Sequence, residues 1–152
     1  MKGYTYREEP GVTVARARGV ELPVSPKKTY EVMNAIRGLR VERARTFLEE
    51  VVALRRAVPF RRFNQETAHK KGIGPGRYPQ KVAGAVLQVL KNAEENAEYE
   101  GLDADRLFVK VAACARGQIN KANMPSAHGR ATSWNEQTTN IEIVLGEAKE
   151  AA

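Results

Sequence analysis

Cysteine occurs once in this chain, at Cys114, and a single thiol excludes both an internal disulfide and a thiolate metal cluster. Such usage suits a reducing compartment. Long apolar runs are missing as well. None approaches the roughly 20 residues of a membrane-spanning helix, and no charged-then-apolar leader opens the chain. The expectation is a soluble, intracellular protein without a membrane span. Internal repeats and low-complexity tracts are also absent. Negative charge is the minority sign: 18 Asp and Glu stand against 25 Lys and Arg, for a formal net charge of +7. The resulting pI near 9.7 is the footprint of a polyanionic partner. At 152 residues the chain is long enough for one domain with a real core.

What is present is organised around residues 107–145. Residues 107–116 alternate apolar with other side chains, as a half-buried strand does. Residues 138–145 do the same and place Ile141, Ile143 and Leu145 on one face. Strands that follow one another most simply pair antiparallel. Their connection, residues 117–137, is far longer than the roughly 2–5 residues usual in a hairpin. It holds Gly117, Lys121, Pro125, His128, Gly129, Arg130 and Trp134 but few large aliphatics. A compact domain gains no stability from such a segment, so it is expected to be disordered or ordered by something outside the domain.

Before it, residues 1–10 read as a loose arm with Tyr4 and Tyr6 as its only anchors. Residues 12–18 alternate as a short strand whose polar face carries Arg16 and Arg18. Ser25-Pro26 starts a helix, an N-cap hydroxyl followed by proline at the first helical position. That helix buries Thr29, Val32, Met33 and Ile36 and ends near Gly38. A second helix over residues 41–54 carries an apolar stripe of Ala44, Phe47, Leu48, Val51 and Val52. Residues 55–77 read as a basic loop spotted with aromatics, outside the core. A third helix runs from Pro79 to about Tyr99, burying Val82, Ala85, Val86, Val89, Leu90, Ala93 and Ala97. Its far end carries Glu94, Glu95, Glu98 and Glu100, so charge is polarised along the molecule. Residues 146–152 read as a frayed tail. The predicted fold is α+β: a small antiparallel sheet packed on three helices, with a long protruding β-hairpin. One domain spans 1–152, its body at about 12–106, its hairpin at 107–145, its ends flexible at 1–10 and 146–152.

Several motifs invite chemistry and fall short of it. Gly72-Ile-Gly-Pro-Gly-Arg77 resembles a phosphate-binding loop before a helix, but the Gly-Lys-Ser/Thr ending that would meet phosphate and magnesium is missing. A flexible turn, or a backbone and Arg77 contact to nucleic-acid phosphate, fits it better. His69 and His128 would be the acid–base pair of a small basic nuclease, yet both lie in polar segments where nothing fixes their separation. No spacing suits zinc, and no nucleophile elbow is present. No catalytic residue, metal or cofactor is therefore expected. The basic residues are different. Lys27-Lys28, Arg55-Arg56, Arg61-Arg62 and Lys70-Lys71 lie in or beside loops, mostly without neighbouring carboxylates. With Arg16, Arg18 and Arg77 they point to nucleic-acid contact. Trp134, between Ser133 and Asn135, is placed to stack on a base or to close the hairpin neck.

The stretch Met124-Pro-Ser-Ala-His-Gly-Arg-Ala131, followed by Asn140-Ile-Glu-Ile-Val-Leu145, resembles the large-subunit ribosomal protein twenty-two family, large-subunit protein seventeen in eukaryotes. Ser25-Pro26-Lys27-Lys28 leading to Ile36-Arg37-Gly38, and Gly76-Arg77-Tyr78-Pro79 opening the third helix, resemble it too. The basic loop with Val58-Pro-Phe60 and His69-Lys70 resembles the archaeal and eukaryotic branch, as does Ala131-Thr-Ser-Trp-Asn135. The resemblance implies a structural, non-enzymatic protein of the large ribosomal subunit. Its partners would be large-subunit rRNA, adjoining ribosomal proteins and the nascent polypeptide. The residues expected at RNA are Arg16, Arg18, Lys27, Lys28, Arg61, Arg62, Lys70, Lys71, Arg77, Tyr78, Lys81, Arg116, Lys121, His128, Arg130 and Trp134. The resemblance places a tunnel-lining tip at Ile119, Asn120, Lys121, Ala122, Asn123 and Met124. Ser126 stands where the family usually has a basic residue, and His128 where it often has lysine. This shifts the phosphate contacts toward Arg130 and Lys121. The rival expectations are a nuclease using His69 or His128, and a free-standing nucleic-acid-binding regulator.

Overall fold

The computed structural model describes residues 3–7 and 12–147. In chain order its elements are β1 (Val14–Leu22), α1 (Pro26–Ile36), α2 (Val41–Val52), β2 (Val58–Pro59), β3 (His69–Lys70), β4 (Gly74–Arg77) and α3 (Gln80–Tyr99). After a 3-10 turn come β5 (Leu107–Asn120), β6 (Asn123–Pro125), β7 (Ala131–Ser133) and β8 (Glu136–Glu147). The architecture is α+β, as expected, with a central antiparallel sheet in the order β1-β8-β5.

The two-residue period builds the core face of that sheet. Ala15 and Ala17 of β1, Val109 and Ala112 of β5, and Ile141, Ile143 and Leu145 of β8 are all buried. The register sets Ala17 and Ala112 on either side of Ile143. Three helices cover this face. α3 lies across β1 and β8, α1 rests against β5, and α2 packs on α3. Each contributes an apolar stripe at helical spacing: Val32, Met33 and Ile36; Ala44, Phe47, Leu48 and Val51; Val82, Val86, Leu90, Ala93 and Ala97. The outer edge of β5 is covered too. Gly38 N–H donates to the Val109 carbonyl at 2.9 Å, and Val109 N–H donates to the Leu39 carbonyl at 2.9 Å. The α1–α2 connection thereby blunts an edge that would otherwise be open to pairing.

Element bounds differ from expectation at several points. β1 begins and ends later than residues 12–18. α2 stops at Val52, which is exposed, and Leu54 follows in a left-handed conformation at φ 62°. In α3 Ala83 is fully buried, while Ala85 only packs against the core. The larger correction concerns residues 55–77, which are not an uncommitted loop. They form a small sheet in the order β2-β4-β3, and Val58 and Phe60 belong to the core at 0% and 3% exposure. Residues 146–147 are part of β8 and not of a frayed tail, while 148–152 lie outside the described residues.

Candidate nucleic-acid interface

A buried carboxylate shapes the basic segment. Glu31 is fully buried on α1. Its oxygens accept backbone N–H bonds from Arg61 at 3.1 Å, Arg62 at 2.8 Å and Phe63 at 2.8 Å. Burying a charge is costly unless it is hydrogen-bonded, and three charge-assisted bonds supply that compensation. The chain after β2 is thereby fixed against α1. Alternation along the pinned turn sends Arg61 and Arg62 into different surroundings. Arg61 lines a groove with Asn34, Phe47 and Arg56. Arg62 joins Lys27, Lys28 and Arg77 in another, of about 400 Å³. Three of the four cations of this second groove lie over aromatic rings. Arg62 lies 5.2 Å from the Tyr30 ring centre and 5.5 Å from that of Phe63, Lys27 lies 5.9 Å from Phe63, and Arg77 lies 5.8 Å from Phe60. Such contacts hold long flexible side chains in place at an exposed site. Arg77 also donates from Nε to Thr67 Oγ1 at 3.1 Å. On the adjoining small sheet Lys70 stands 5.5 Å from the Tyr78 ring, and Lys71 is exposed at the β3–β4 turn.

The basic surface continues to the hairpin. Ser25 lines both the groove just described and a neighbouring hollow that contains Lys81, Asn120 and Gln137. The neck of the hairpin is bent here by a β-bulge. Arg116 pairs with Thr139 and Ile119 with Gln137, leaving one extra residue on β5. Gly117 sits in this bulge, where a Cβ would collide with the Thr138 side chain. Thr138 Oγ1 donates to the Gln118 carbonyl at 2.9 Å, and Gln137 Nε2 to the Gly117 carbonyl at 2.9 Å.

Beyond the neck the chain is not the open loop expected from its composition. The β5–β8 ladder runs out to Asn120 and Glu136, and β6 pairs with β7 from Asn123–Ser133 to Pro125–Ala131. The chain reverses at residues 126–130, where Ser126 N–H donates to the Arg130 carbonyl at 2.7 Å. His128 and Gly129 take left-handed φ values of 58° and 71° there, a conformation glycine adopts freely and histidine tolerates. The end of the hairpin is therefore later than expected. Ile119, Asn120, Lys121, Ala122, Asn123 and Met124 lie on the outgoing strand and its bend, because polar backbone pairing continues past them. Every residue from 118 to 136 is exposed. Arg116, Lys121, His128, Arg130 and Trp134 are spread along this arm, and the Trp134 side chain is 60% exposed, not packed into a neck.

Arg16 and Arg18 are elsewhere. They lie on the outer face of the sheet, away from the helices, and residues 3–7 dock over them instead of hanging loose. Arg18 donates to the Gly3 carbonyl at 2.8 Å, and Arg16 lies 4.9 Å from the Tyr4 ring centre. Glu142, only 7% exposed, accepts the N–H bonds of Thr5 and Tyr6 at 2.8 and 3.0 Å. Lys110 donates to the Tyr6 hydroxyl at 2.7 Å. Tyr4 and Tyr6 are anchors as expected. The remainder of the expected loose arm, residues 1–2 and 8–10, lies outside the described residues.

The groups with catalytic potential do not assemble. His69 is on β3 and His128 in the distal turn of the hairpin. Cys114 is half-buried, and burial pushes its thiol up, partly offset by Arg37, so the reactive thiolate is disfavoured. Among the described residues no group of three or more His, Cys, Asp and Glu is placed to hold a metal, and no helix is long and apolar enough to cross a membrane. The acidic end of α3 is separated from the cationic surface. At 1.5 Å per residue Glu98 is roughly 25 Å along the helix from Lys81. Glu94 pairs there with Arg45 at 3.3 Å.

Sequence reasoning missed Glu31 and Glu142. Each is a lone acidic residue among apolar neighbours, and an acidic residue inside an otherwise buried stretch is the signal that could have marked them.

Residues 17–146 match the family of ribosomal protein L22p/L17e. The chain is similar to the large ribosomal subunit protein uL22 of Methanothrix thermoacetophila, at 49% identity over 98% of this chain and 100% of that protein. It is 46% identical to the large ribosomal subunit protein uL22 of Methanococcoides burtonii over 90% of this chain and 91% of the relative. With that of Archaeoglobus fulgidus the identity is 44%, covering 93% of each.

Proposed function

The chain belongs to the ribosomal protein L22p/L17e family, a family of structural proteins of the large ribosomal subunit and not of enzymes, and from that premise we propose how it serves the subunit. It binds large-subunit rRNA through the groove of Lys27, Lys28, Arg62 and Arg77 and through the neck at Lys81. The hairpin extends from that anchor between RNA segments to line the nascent-peptide exit tunnel. Its place of work is the cytoplasmic ribosome, beside other large-subunit proteins and the nascent chain.

One observation carries this reading. Residues 118–136 form ladders on either side of the hairpin, yet every one of them is exposed. A two-stranded ribbon with neither face covered is marginal in water, so its natural setting is one in which RNA covers it. Arg130, Lys121 and Arg116 supply phosphate partners along it. Contacts of this kind go mainly to phosphate, sugar and shape. Arg16 and Arg18, being held against residues 3–7, contribute positive potential more than direct grip.

The test is co-sedimentation with large subunits. The full chain should remain on subunits washed in high salt, and in reconstituted subunits photocrosslinkers at Lys121 or Met124 should reach a stalled nascent peptide. Loss of the protein in the salt wash would favour a free-standing RNA binder, and crosslinks to RNA alone would remove the tunnel assignment.

A further inference from the structure

We propose that the groove between the start of α1 and the turn pinned by Glu31 holds a single unpaired nucleotide of the rRNA. Its phosphate lies at Lys27 and Lys28 and its base stacks on the Arg62 guanidinium. This rests on the reading of the chain as an rRNA-binding protein and goes beyond it in naming what this one groove takes.

Size is the first argument. A hollow of about 400 Å³ lies in the range of small-ligand sites, roughly 300–1,000 Å³. Double-stranded RNA presents a convex backbone and a wide, shallow minor groove, which cannot enter such a hollow. A nucleotide splayed out of a loop or bulge can. Charge is the second. The four cations of the groove are accompanied by no carboxylate in its lining. The Ser25 side chain caps no N–H of α1, so the first amides of the helix add their own preference for an anion beside Lys27 and Lys28.

The groups that accompany the cations also suit a base. The Arg62 guanidinium lies against the Tyr30 and Phe63 rings, 5.2 and 5.5 Å from their centres. A guanidinium held in this way is a platform for an unstacked base. Asn64 and Gln65 complete the lining, and among the described residues their side-chain amides make no hydrogen bond. An amide offers both donors and an acceptor. Phosphate has no use for the acceptor, whereas the edge of a base uses both. Finally, the turn is set in advance: three backbone N–H bonds to the buried Glu31 carboxylate fix residues 61–63 before any ligand arrives.

The experiment measures affinity of the full-length protein for three RNAs by fluorescence anisotropy: a perfect duplex stem, the same stem with one bulged nucleotide, and an unstructured strand. The bulged stem and the strand should bind about tenfold tighter than the perfect stem, the effect of one stacked base. In Arg62→Ala, and independently in Gln65→Ala, the ratio of bulged to perfect affinity should fall toward one. In Lys121→Ala the ratio should be preserved, because that residue lies on the hairpin. A 2-aminopurine at the bulge should change its fluorescence on binding the unaltered protein and not on binding Arg62→Ala. Equal affinity for bulged and perfect stems, or a preference that survives both groove substitutions, overturns the proposal. Absence of binding to all three RNAs would remove the rRNA-binding reading itself, and the proposal with it.

Discussion

The same two strands pass through two regions that are held in opposite ways. In the body, β5 and β8 carry Val109, Ala112, Ile143 and Leu145 against three helices, and all four are buried. From residue 118 outward the strands keep backbone pairing, but no residue out to 136 is buried. Backbone hydrogen bonds are common to both regions, so they cannot be what separates them. The difference is the side chains. In the body each fixed residue is offset by apolar burial at roughly 25 cal/mol per Å². In the hairpin an ordering cost of roughly 1–2 kcal/mol per residue has no such counterweight within the chain. The body is specified by its own apolar pattern, whereas the hairpin has the form of a ladder with no apolar layer of its own.

Breaking the comparison at its strong end should give the largest effect. Val86→Asp puts an unpaired charge among buried apolar residues and should cost roughly 3–5 kcal/mol in a thermal or denaturant melt. Arg130→Glu should leave that melt unchanged and instead impair incorporation into large subunits. Equal losses of melting temperature would mean the hairpin is packed on the body. Next comes the Glu31 clamp. Glu31→Ala leaves the Arg61, Arg62 and Phe63 N–H groups without their acceptor and should cost roughly 2–4 kcal/mol. Hydrogen exchange at those three amides should rise even in molecules that remain folded; unchanged exchange there would show that the turn stands without the carboxylate.

The body's cationic side can be separated from its acidic end by salt. RNA affinity should fall steeply with salt concentration. Arg77→Ala and Lys81→Ala should each reduce the log–log slope by about one or slightly less, and Glu98→Ala should not. A flat response would rule out phosphate neutralisation as the source of affinity. The smallest effect concerns Glu94. Burial raises its carboxyl above the ordinary value, helped by Glu98 and Glu49 and opposed by Arg45 and Lys91. Folding therefore disfavours its charged form relative to the unfolded chain. The associated stability is fully present below the unfolded carboxyl value of about 4.3 and is lost as pH rises through the raised one. Glu94→Gln should therefore raise the melting temperature slightly at pH 7 and leave it unchanged at pH 3. A lower melting temperature at pH 7 would mean that the Arg45 pair outweighs burial.

Much of the body was legible because periodicity records which face is buried. Val32, Met33 and Ile36 announce α1, and Ile141, Ile143 and Leu145 announce β8. Residues 55–77 mislead because strands of two to four residues show no readable period. Val58 and Phe60 are core side chains set among arginines, prolines and glycines that suggest a loop. Glu31 was illegible as a clamp because its partners are about thirty positions away and are backbone groups, which carry no sequence signature. The alternation of Arg16 and Arg18 reveals their shared face, but not that residues 3–7 cover it. The outer hairpin reads as a loop because its ladders are built mostly by polar and small residues. A continued register leaves no hydrophobic pattern, so the reversal at residues 126–130 was not visible.

The contrast between the two regions predicts a body that orders itself and a hairpin that does not. Hydrogen exchange followed residue by residue, in the free protein and in reconstituted large subunits, tests it directly. The amides of Val109, Ala112 and Ile143 should be protected in both. Those of Gln118, Asn123, Thr132 and Trp134 should exchange rapidly in the free protein and become protected in the subunit. Equal, strong protection of the hairpin amides in the free protein would contradict the account, because the ribbon would then be self-supporting and RNA would not be what orders it.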